Sequence, residues 1–239
     1  MTKPNYFGAA AATRYDDSVG EEFETDVIAA TANFLAPFAV SGTALELAIG
    51  TGRIALPLAE RGVEVHGIDL SPEMVARLRE KPGGDAIPVA IGDYATTRAD
   101  GAFRLVYLVF NGIMNQTTQE DQVASFRNAA AHLDPGGCFV IEVGVLNNRP
   151  IEVFDLSETH VGIDEYDPAT QQSVSHHFTL VDGRWQRASV PFRSVSPGEL
   201  DLMAQLAGMR LRERWGGWNR EPFGSDSRKH VSVWEKPSG

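Results

Sequence analysis

The chain has 239 residues, and its 21 basic and 32 acidic side chains give a formal net charge of −11 at pH 7. Because nucleic-acid binding depends on Lys and Arg neutralising phosphates, this charge argues against a nucleic-acid partner. The single cysteine excludes an internal disulfide, and the absence of a secretory signal or of a ~20-residue apolar run predicts a cytoplasmic protein without a membrane span.

Between residues 44 and 143, apolar strand-like runs alternate with helix-like stretches. Strands are predicted near 44–48, 63–68, 86–90, 103–109 and 138–143, and helices near 53–61, 72–80 and 119–133. This alternation is typical of a parallel sheet with helices on both faces. Since ligands of such sheets bind beyond the carboxyl ends of the strands, functional residues are expected directly after each strand.

After residue 145 the sequence changes character and predicts an inserted antiparallel sheet over about 151–195. Short β-rich runs are separated there by a turn signal at Asp167-Pro168 and a hairpin signal at Asp182-Gly183. We expect the insertion to cover a pocket as a lid or to pair two subunits in a homodimer.

A helix follows the insertion, with Ser196 as its N-cap and Gly208 at its end. Two strands are predicted near 210–215 and 230–235. The expected organisation is a helical segment and a ligand-binding core over 1–150, the insertion over 151–195, and a return to the core over 196–239.

The stretch "LELAIGTGRIA" at residues 45–55 predicts a strand, a glycine turn and a helix start. Gly50 and Gly52 remove side chains where a ligand would approach the backbone, and the helix amides point outward. The turn also matches the G-x-G-x-x-G/A pattern of dinucleotide folds, with Asp69 placed to hold a ribose hydroxyl. An NAD(P)-dependent oxidoreductase is therefore one interpretation.

Glu46 favours a different ligand. It lies inside the first strand, and an acid near a helix N-terminus opposes the binding of an anionic pyrophosphate. A cationic or neutral ligand is expected. S-adenosylmethionine, which carries a sulfonium and an ammonium group but no phosphate, meets this requirement.

The motifs resemble those of the class I S-adenosylmethionine (SAM)-dependent methyltransferases. "LELAIGTGR" and "VHGIDLS" are similar to the first two motifs of that family, "IGDY" to its adenine-contacting turn, and "LDPGGCFVIEV" to its fifth strand. The resemblance covers residues 44–143. It implies a doubly wound, mostly parallel seven-stranded α/β sheet of Rossmann-like type and an enzyme of the EC 2.1.1 class that uses S-adenosyl-L-methionine.

Within that family, the insertion is loosely similar to glycine N-methyltransferases and deoxyaminosugar N-methyltransferases. This similarity implies a small-molecule acceptor, in keeping with a role in secondary metabolism. The sequence contains no Asn/Asp-Pro-Pro-aromatic motif, which argues further against a nucleic-acid substrate.

The cofactor contacts are expected along the strand ends. Ser71 and Pro72 already serve the next helix, which leaves the Asp69 carboxylate to accept hydrogen bonds from the two ribose hydroxyls. Arg53 belongs to the glycine turn. By resemblance, Asp93 accepts from the adenine amino group while Ile91, Tyr94 or Leu70 packs on the ring.

The methyl-transfer end is expected beside the N-terminus and the fourth strand. Tyr15, with Arg14, is predicted to close over the methionyl end of the cofactor. Phe110 and Asn111 are predicted near the cofactor methyl, and Asn115 is predicted to contact the acceptor.

A general base is needed if the acceptor is a hydroxyl, and His suits that task. His176 and His177 lie in the predicted insertion, where adjacent strand residues face opposite ways, so at most one could enter the pocket. Trp215, Trp218 and Arg220 could grip a flat or anionic acceptor, although core packing explains the tryptophans equally well.

The sequence therefore predicts a methyltransferase that moves a methyl group from SAM to a nitrogen or oxygen atom of a small metabolite. No metal site is predicted, because the histidines are scattered and no paired acids follow the strands. The alternatives are the oxidoreductase, which Glu46 disfavours, and a catalytically silent SAM-binding protein. The sequence does not choose among N, O and C acceptors.

Overall fold

A computed structural model of the protein describes residues 4–16, 21–40, 42–145 and 149–238. Its main sheet has seven strands in the order β10-β11-β5-β4-β1-β2-β3. The strands are β1 (Thr43–Leu47), β2 (Glu64–Asp69), β3 (Val89–Ile91), β4 (Phe103–Leu108), β5 (Leu133–Gly144), β10 (Arg210–Trp215) and β11 (Lys229–Glu235). Only β11 runs in the opposite direction to the other six strands of this sheet, which confirms the predicted fold class.

Six α-helices accompany the sheets in the described part of the chain. They are α1 (Ala9–Tyr15), α2 (Thr25–Leu35), α3 (Ala55–Glu60), α4 (Pro72–Arg79), α5 (Gln119–His132) and α6 (Pro197–Leu206). The predicted N-caps are confirmed, since Ser71 Oγ accepts from Met74 N at 3.2 Å and Ser196 Oγ accepts from Glu199 N at 3.2 Å. None of these helices is long and apolar enough to span a membrane.

The third strand is shorter than the sequence predicts. The strand is predicted from residue 86, but Ala86 ends a 3-10 helix over Gly84–Ala86, and β3 begins only at Val89. Pro88 precedes it, and proline has no N–H to donate to a strand ladder. The Pro88 carbonyl still accepts from Gly67 N at 2.9 Å, so the chain enters the sheet edge there.

The core consists of two layers, one on each face of the main sheet. Alternate residues of β5 separate them: Phe139 packs with Phe126 and Trp234 on one face, and Val140 packs with Tyr107 on the other. All of these side chains are fully buried. This double burial fixes the sheet and places the carboxyl ends of β1, β2 and β4 along one edge.

The second sheet is the inserted one, and all of its pairings are antiparallel. It contains β6 (Ile151–Leu156), β7 (His160–Asp167), β8 (Gln172–Val181) and β9 (Arg184–Arg193) in that spatial order. The predicted Asp182-Gly183 hairpin is confirmed, with φ of 51° and 74° at its two central residues. Such a pair of positive φ angles is typical of a type I′ turn.

A buried cation joins the inserted sheet to the core. Arg193, 5% exposed at the end of β9, forms an ion pair with Glu199 at 2.7 Å. The same guanidinium donates to Gln171 Oε1 at 2.7 Å and to Gln122 Oε1 at 2.5 Å. Because Gln122 lies on α5 and Glu199 on α6, one side chain fixes the sheet to both helices.

Candidate active site

A cavity of about 470 Å³ opens at the carboxyl ends of β1, β2 and β4. The glycine turn after β1 forms its floor, the N-terminal segment of residues 4–16 forms one wall, and the inserted sheet contributes the opposite side. Its lining includes Tyr15, Glu46, Gly50, Arg53, Asp69, Leu70, Asp93, Tyr94, Phe110, Asn111, Asn115, Gln172, Pro191 and Phe192. Ten of the eleven residues predicted to bind the cofactor thus line one cavity.

Gly52, the remaining one, supports the turn from behind. It is absent from the cavity lining, has φ of 79°, and a Cβ there would lie 2.4 Å from Leu78 Cδ1. Gly50 does line the cavity and has φ of 57°. The absence of a side chain at Gly50 therefore leaves space for a ligand, whereas its absence at Gly52 allows helix α4 to pack against the turn.

Asp69 organises the glycine turn. Its Oδ2 accepts from Gly50 N at 2.7 Å and its Oδ1 accepts from Ser71 N at 2.8 Å. The prediction that this carboxylate is left free by the helix cap is therefore wrong, because the backbone on both sides already binds it. Each oxygen keeps a second lone pair for a ligand hydroxyl, and burial raises the pKa of this carboxyl.

Glu46 is a buried acid without an ion pair in the described structure. It is 3% exposed, and its Oε2 accepts from the Tyr107 hydroxyl at 2.9 Å. Burial raises its pKa to about 8, so the free protein holds this group largely protonated at neutral pH. An entering cation would favour the ionised form.

Arg53 is the cation nearest to that acid in the cavity. Its guanidinium lies 5.1 Å from the centre of the Phe23 ring and 5.2 Å from that of Phe110, and it donates to the Glu22 carbonyl. Two aromatic faces thus hold the group by cation–π attraction. The arrangement leaves Arg53 at the cavity wall with a fixed orientation.

The chain bends sharply after β4 to place Phe110 and Asn111. Both residues have left-handed backbone angles, with φ of 53° and 56°. Glu142 Oε2 accepts from Phe110 N at 2.9 Å, and Asn111 Oδ1 accepts from Gly144 N at 2.7 Å. These bonds from β5 hold a backbone conformation that few residues other than glycine adopt.

The N-terminal segment is fixed against the glycine turn. The Asp16 carboxylate accepts from Thr51 Oγ1 at 2.6 Å and from Lys81 Nζ at 2.8 Å. Tyr15 lies before it in the cavity wall and contacts Phe23 edge to face at 5.5 Å between ring centres. The side chain of Arg14, predicted beside Tyr15, lies outside the described residues.

The expected adenine end is polar on one side and apolar on the other. Asp93 Oδ1 accepts from Ala95 N at 2.9 Å and from Gln116 Nε2 at 2.9 Å. The Tyr94 hydroxyl donates to the Gly112 carbonyl at 2.6 Å, which fixes its ring at the cavity. Leu70 also lines the cavity, whereas Ile91 does not and is 50% exposed.

The far side of the cavity is built from uncharged side chains. Asn111, Asn115 and Thr117 follow β4, and Gln172, Pro191 and Phe192 come from β8 and β9. Gln172 Nε2 donates to the Thr117 carbonyl at 3.0 Å, which ties the two groups together. Sequence reasoning missed the three residues of the insertion because no motif there marks which strand end approaches the core.

The two histidines proposed as bases do not line the cavity. His176 Nδ1 lies 2.8 Å from Ser189 Oγ, and His177 Nδ1 lies 3.1 Å from His160 Nε2, so both rings are engaged within the inserted sheet. Burial lowers the pKa of His177. The geometry corrects their assignment to the site, since the strand ends that reach the cavity carry other residues.

Trp215, Trp218 and Arg220 also lie away from the cavity. Trp218 is buried and packs edge to face on Phe34 of α2 at 5.4 Å between ring centres. Arg220 covers the Phe34 ring at 5.0 Å and pairs with Glu213 at 2.7 Å. Their prediction as acceptor contacts is corrected: the aromatic cluster packs on the α2 face of the sheet.

Comparisons with known proteins agree with this geometry. A family model described as a methyltransferase domain matches residues 44–137. The solved structure of the CcbJ methyltransferase from Streptomyces caelestis is 32% identical, with a TM-score of 0.87 over 97% of this chain and 98% of that one. A cypemycin N-terminal methyltransferase from a Streptomyces species is 28% identical over 81% of this chain and 83% of its own.

A more distant structure shows the same fold with the cofactor in place. The SAM-bound amino pentose methyltransferase from Micromonospora echinaspora is 18% identical, with a TM-score of 0.68 over 99% of this chain and 100% of that one. The present chain belongs to the class I SAM-dependent methyltransferases, and its cofactor is S-adenosylmethionine. The nicotinamide-dependent alternative is set aside.

Proposed function

We propose that this methyltransferase transfers the methyl group to an amine nitrogen of a small, polar metabolite. The observation that carries the proposal is the uncharged acceptor side of the cavity, formed by Asn111, Asn115, Thr117, Gln172, Pro191 and Phe192. An alcohol must lose its proton during methyl transfer and needs a base, whereas an unprotonated amine attacks the methyl carbon directly. Amide side chains suit the hydrogen-bonding groups of a polar acceptor.

Three titratable groups of the cavity, Tyr15, Asp69 and Asp93, are poor candidates for a base. Glu46 is assigned instead to the α-ammonium group of the cofactor. Burial raises the pKa of Tyr15 to about 12, so its phenol remains protonated at neutral pH. Asp69 and Asp93 already accept two hydrogen bonds each from the protein. Two similar proteins support the same conclusion by name, because one is a cypemycin N-terminal methyltransferase and the other an amino pentose methyltransferase.

The cofactor is proposed to lie along the strand ends. Asp69 would accept from the ribose hydroxyls, and Asp93 from the adenine amino group. Glu46 would face the α-ammonium group, and Arg53 the carboxylate. Support comes from the shared cavity and from charge, since an acid and a guanidinium stand together where a zwitterionic amino acid end would fit.

Matched acceptor pairs test the amine proposal. An aminosugar is compared with the sugar that carries a hydroxyl at the same carbon, and a dipeptide with its N-acetylated form. Formation of S-adenosylhomocysteine is expected with the amines alone. The rate should follow the unprotonated amine fraction as pH rises, without a further inflection from an enzyme base. Methylation of the hydroxyl partner with no activity on amines would refute the proposal.

We propose that the insertion over about 151–195 also pairs two copies of the chain. By register, Ile151, Val153, Leu156 and Trp185 share one face of the inserted sheet and are 53–77% exposed. The same face carries Val161, Ile163, Phe178 and Leu180. A large apolar face is typical of an interface, and a two-fold axis would let it cover itself.

Light scattering after size exclusion tests the pairing. The wild type should be a dimer, and Val153→Lys combined with Leu156→Lys should be a monomer that still binds S-adenosylhomocysteine. The matched control is Glu152→Lys with Glu158→Lys, which adds charge beside the face and should remain dimeric. A monomeric wild type at micromolar concentration would exclude this interface.

A further inference from the structure

We propose that the protein carries a second ligand site, which binds a multivalent oxyanion of the phosphate class. The site is a cleft of about 390 Å³ between the 3-10 helix at Ala36–Ala39 and strand β10. It is called the arginine cleft here because its lining contains three arginines; the full lining is Pro37, Phe38, Val40, Arg104, Gly136, Cys138, Arg212, Glu213 and Arg220.

Each arginine enters the cleft at a backbone irregularity. Arg212 is the extra residue of a β-bulge, since Leu211 pairs with Trp234 and Glu213 with Val233. Arg104 stands where the β4–β5 register shifts between Phe103 and Leu105. Bulges redirect a side chain out of the strand pattern and are frequent beside functional sites.

The third arginine has an unusual backbone conformation. Arg220 has φ of 62°, in the left-handed region that side chains other than glycine rarely occupy. Such outliers cluster at ligand clamps, because the surrounding structure must maintain them. Three separate departures from regular structure therefore bring three guanidinium groups to one cleft.

The charges of the cleft are not balanced from within. Arg104 donates to the Pro135 carbonyl at 3.0 Å and makes no ion pair with any described residue. Arg212 lies 3.8 Å from Glu235, which Arg210 also contacts at 3.5 Å. Glu213 is the one lining acid, and it pairs with Arg220 at 2.7 Å. This positive cleft stands out in a chain of net charge −11.

The donor set matches a tetrahedral oxyanion. A guanidinium presents planar, paired N–H donors that bind phosphate oxygens in a bidentate manner. Several such groups around one space favour a ligand with at least two charges and several oxygens over a single carboxylate. The cleft volume admits a diphosphate, either free or as part of a nucleotide.

The ligand is distinct from the cofactor and the methyl acceptor. Arg104 lies near the first residue of β4, whereas Phe110 follows its last residue and lines the methyl-transfer cavity. Six strand residues at ~3.3 Å each separate the two sites by roughly 20 Å. A ligand in the arginine cleft bridges β4, β5, β10 and the segment before β1, so its binding stabilises the folded protein.

Titration calorimetry with inorganic pyrophosphate tests the site. The enzyme is first saturated with S-adenosylhomocysteine, so that the methyl-transfer cavity is filled, and sodium chloride of matched ionic strength is the salt control. Saturable binding with a dissociation constant below about 1 mM is expected. Arg104→Gln and Arg212→Gln should each weaken it roughly tenfold to hundredfold, as expected when a hydrogen bond to a charged group is lost.

The control variant is Arg210→Gln. Arg210 lies on the same strand, is 69% exposed at its side chain and does not line the cleft, so its loss removes a nearby positive charge but no guanidinium of the cleft lining. It should bind pyrophosphate within about twofold of the wild type. All variants should bind S-adenosylhomocysteine normally, which shows that they are folded.

The source of the phosphate group is distinguished with uridine diphosphate in place of pyrophosphate. Tighter binding of the nucleotide assigns the cleft to a nucleotide, and equal or weaker binding assigns it to a free oxyanion. If no saturable heat is detected when the pyrophosphate concentration is 10-fold above the expected dissociation constant, the proposal is overturned. The proposal is also overturned if Arg210→Gln weakens pyrophosphate binding as much as Arg104→Gln and Arg212→Gln do. A heat signal from sodium chloride equal to that from pyrophosphate would overturn it as well.

Discussion

The two sides of the active-site cavity are built in different ways. The proposed cofactor side consists of residues at the carboxyl ends of central strands, where Asp69 accepts from the backbone N–H groups of Gly50 and Ser71 and Glu46 accepts from the Tyr107 hydroxyl. The proposed acceptor side includes Gln172, Pro191 and Phe192 of the inserted sheet, which Arg193 fixes to the core. In the proposed assignment, substitutions in the inserted sheet can therefore alter the acceptor contacts without altering the cofactor contacts.

The largest expected effect is on the anchor of the acceptor side. Arg193→Met should lower the free energy of unfolding by about 3 kcal/mol, because it leaves Glu199 as a half-buried charge without its partner. Denaturant unfolding measures the loss. The double variant Arg193→Met with Glu199→Leu should recover much of it, and a single-variant loss below about 1 kcal/mol would contradict the anchoring role.

The next effect concerns the cofactor side. Asp69→Ala should weaken S-adenosylhomocysteine binding by about 1 to 3 kcal/mol, since it removes the partner of Gly50 N and Ser71 N as well as the proposed ribose contact. Calorimetry measures the affinity. Asp85→Ala, an exposed acid, is the control and should bind like the wild type. Unchanged binding in Asp69→Ala would remove Asp69 from the site.

The effect of Glu46 on stability is smaller per pH unit. Between its unfolded pKa of 4.5 and its folded pKa of about 8, the folded protein holds one more proton than the unfolded chain. The free energy of unfolding therefore falls as pH rises through this interval, by up to about 1.4 kcal/mol per unit. Denaturant unfolding from pH 5 to 8 should show this slope in the wild type and a reduced slope in Glu46→Gln.

The same residue links cofactor binding to proton release. If the α-ammonium group of S-adenosylhomocysteine lies against Glu46, binding at pH 7 drives the carboxyl to ionise. Calorimetry in two buffers of different ionisation enthalpy should detect close to one proton released by the wild type. Equal release by Glu46→Gln would place the ammonium group elsewhere.

The smallest expected effect is at the histidines of the inserted sheet. His176→Ala and His177→Ala should each methylate an amine acceptor found in the matched-pair assay, with a turnover rate within about twofold of the wild type. Loss of a general base would instead lower turnover by roughly 10²-fold to 10⁴-fold. Steady-state rates under saturating SAM decide between the two, and a large loss with unchanged cofactor affinity would restore a catalytic role.

Much of the cofactor side could be predicted from the sequence, because strand ends in a parallel sheet converge on one edge. That rule brought Gly50, Asp69 and Asp93 together without knowledge of contacts. It could not show that the Asp69 carboxylate already binds Gly50 N, since that bond joins residues 19 positions apart.

The acceptor side was less accessible to sequence analysis. The chemistry of the His pair and the tryptophans predicts an acceptor site, but the face of the sheet on which a side chain lies depends on packing. Trp218 fills space beside Phe34 in the core, and His177 hydrogen-bonds within its own sheet. Phe192 and Gln172 line the cavity at the end of the sheet where Arg193 pairs with Glu199 of α6.

At the bend after β4, the requirements of stability and of activity differ for the side chain of Phe110. Phe110 occupies a left-handed conformation that glycine would adopt without strain, yet its ring supports Arg53 at the cavity wall. A laboratory selection for heat resistance alone would favour Phe110→Gly, which relaxes the backbone and releases the guanidinium. A selection that also demands turnover would retain the aromatic ring, so the two regimes should diverge at this position.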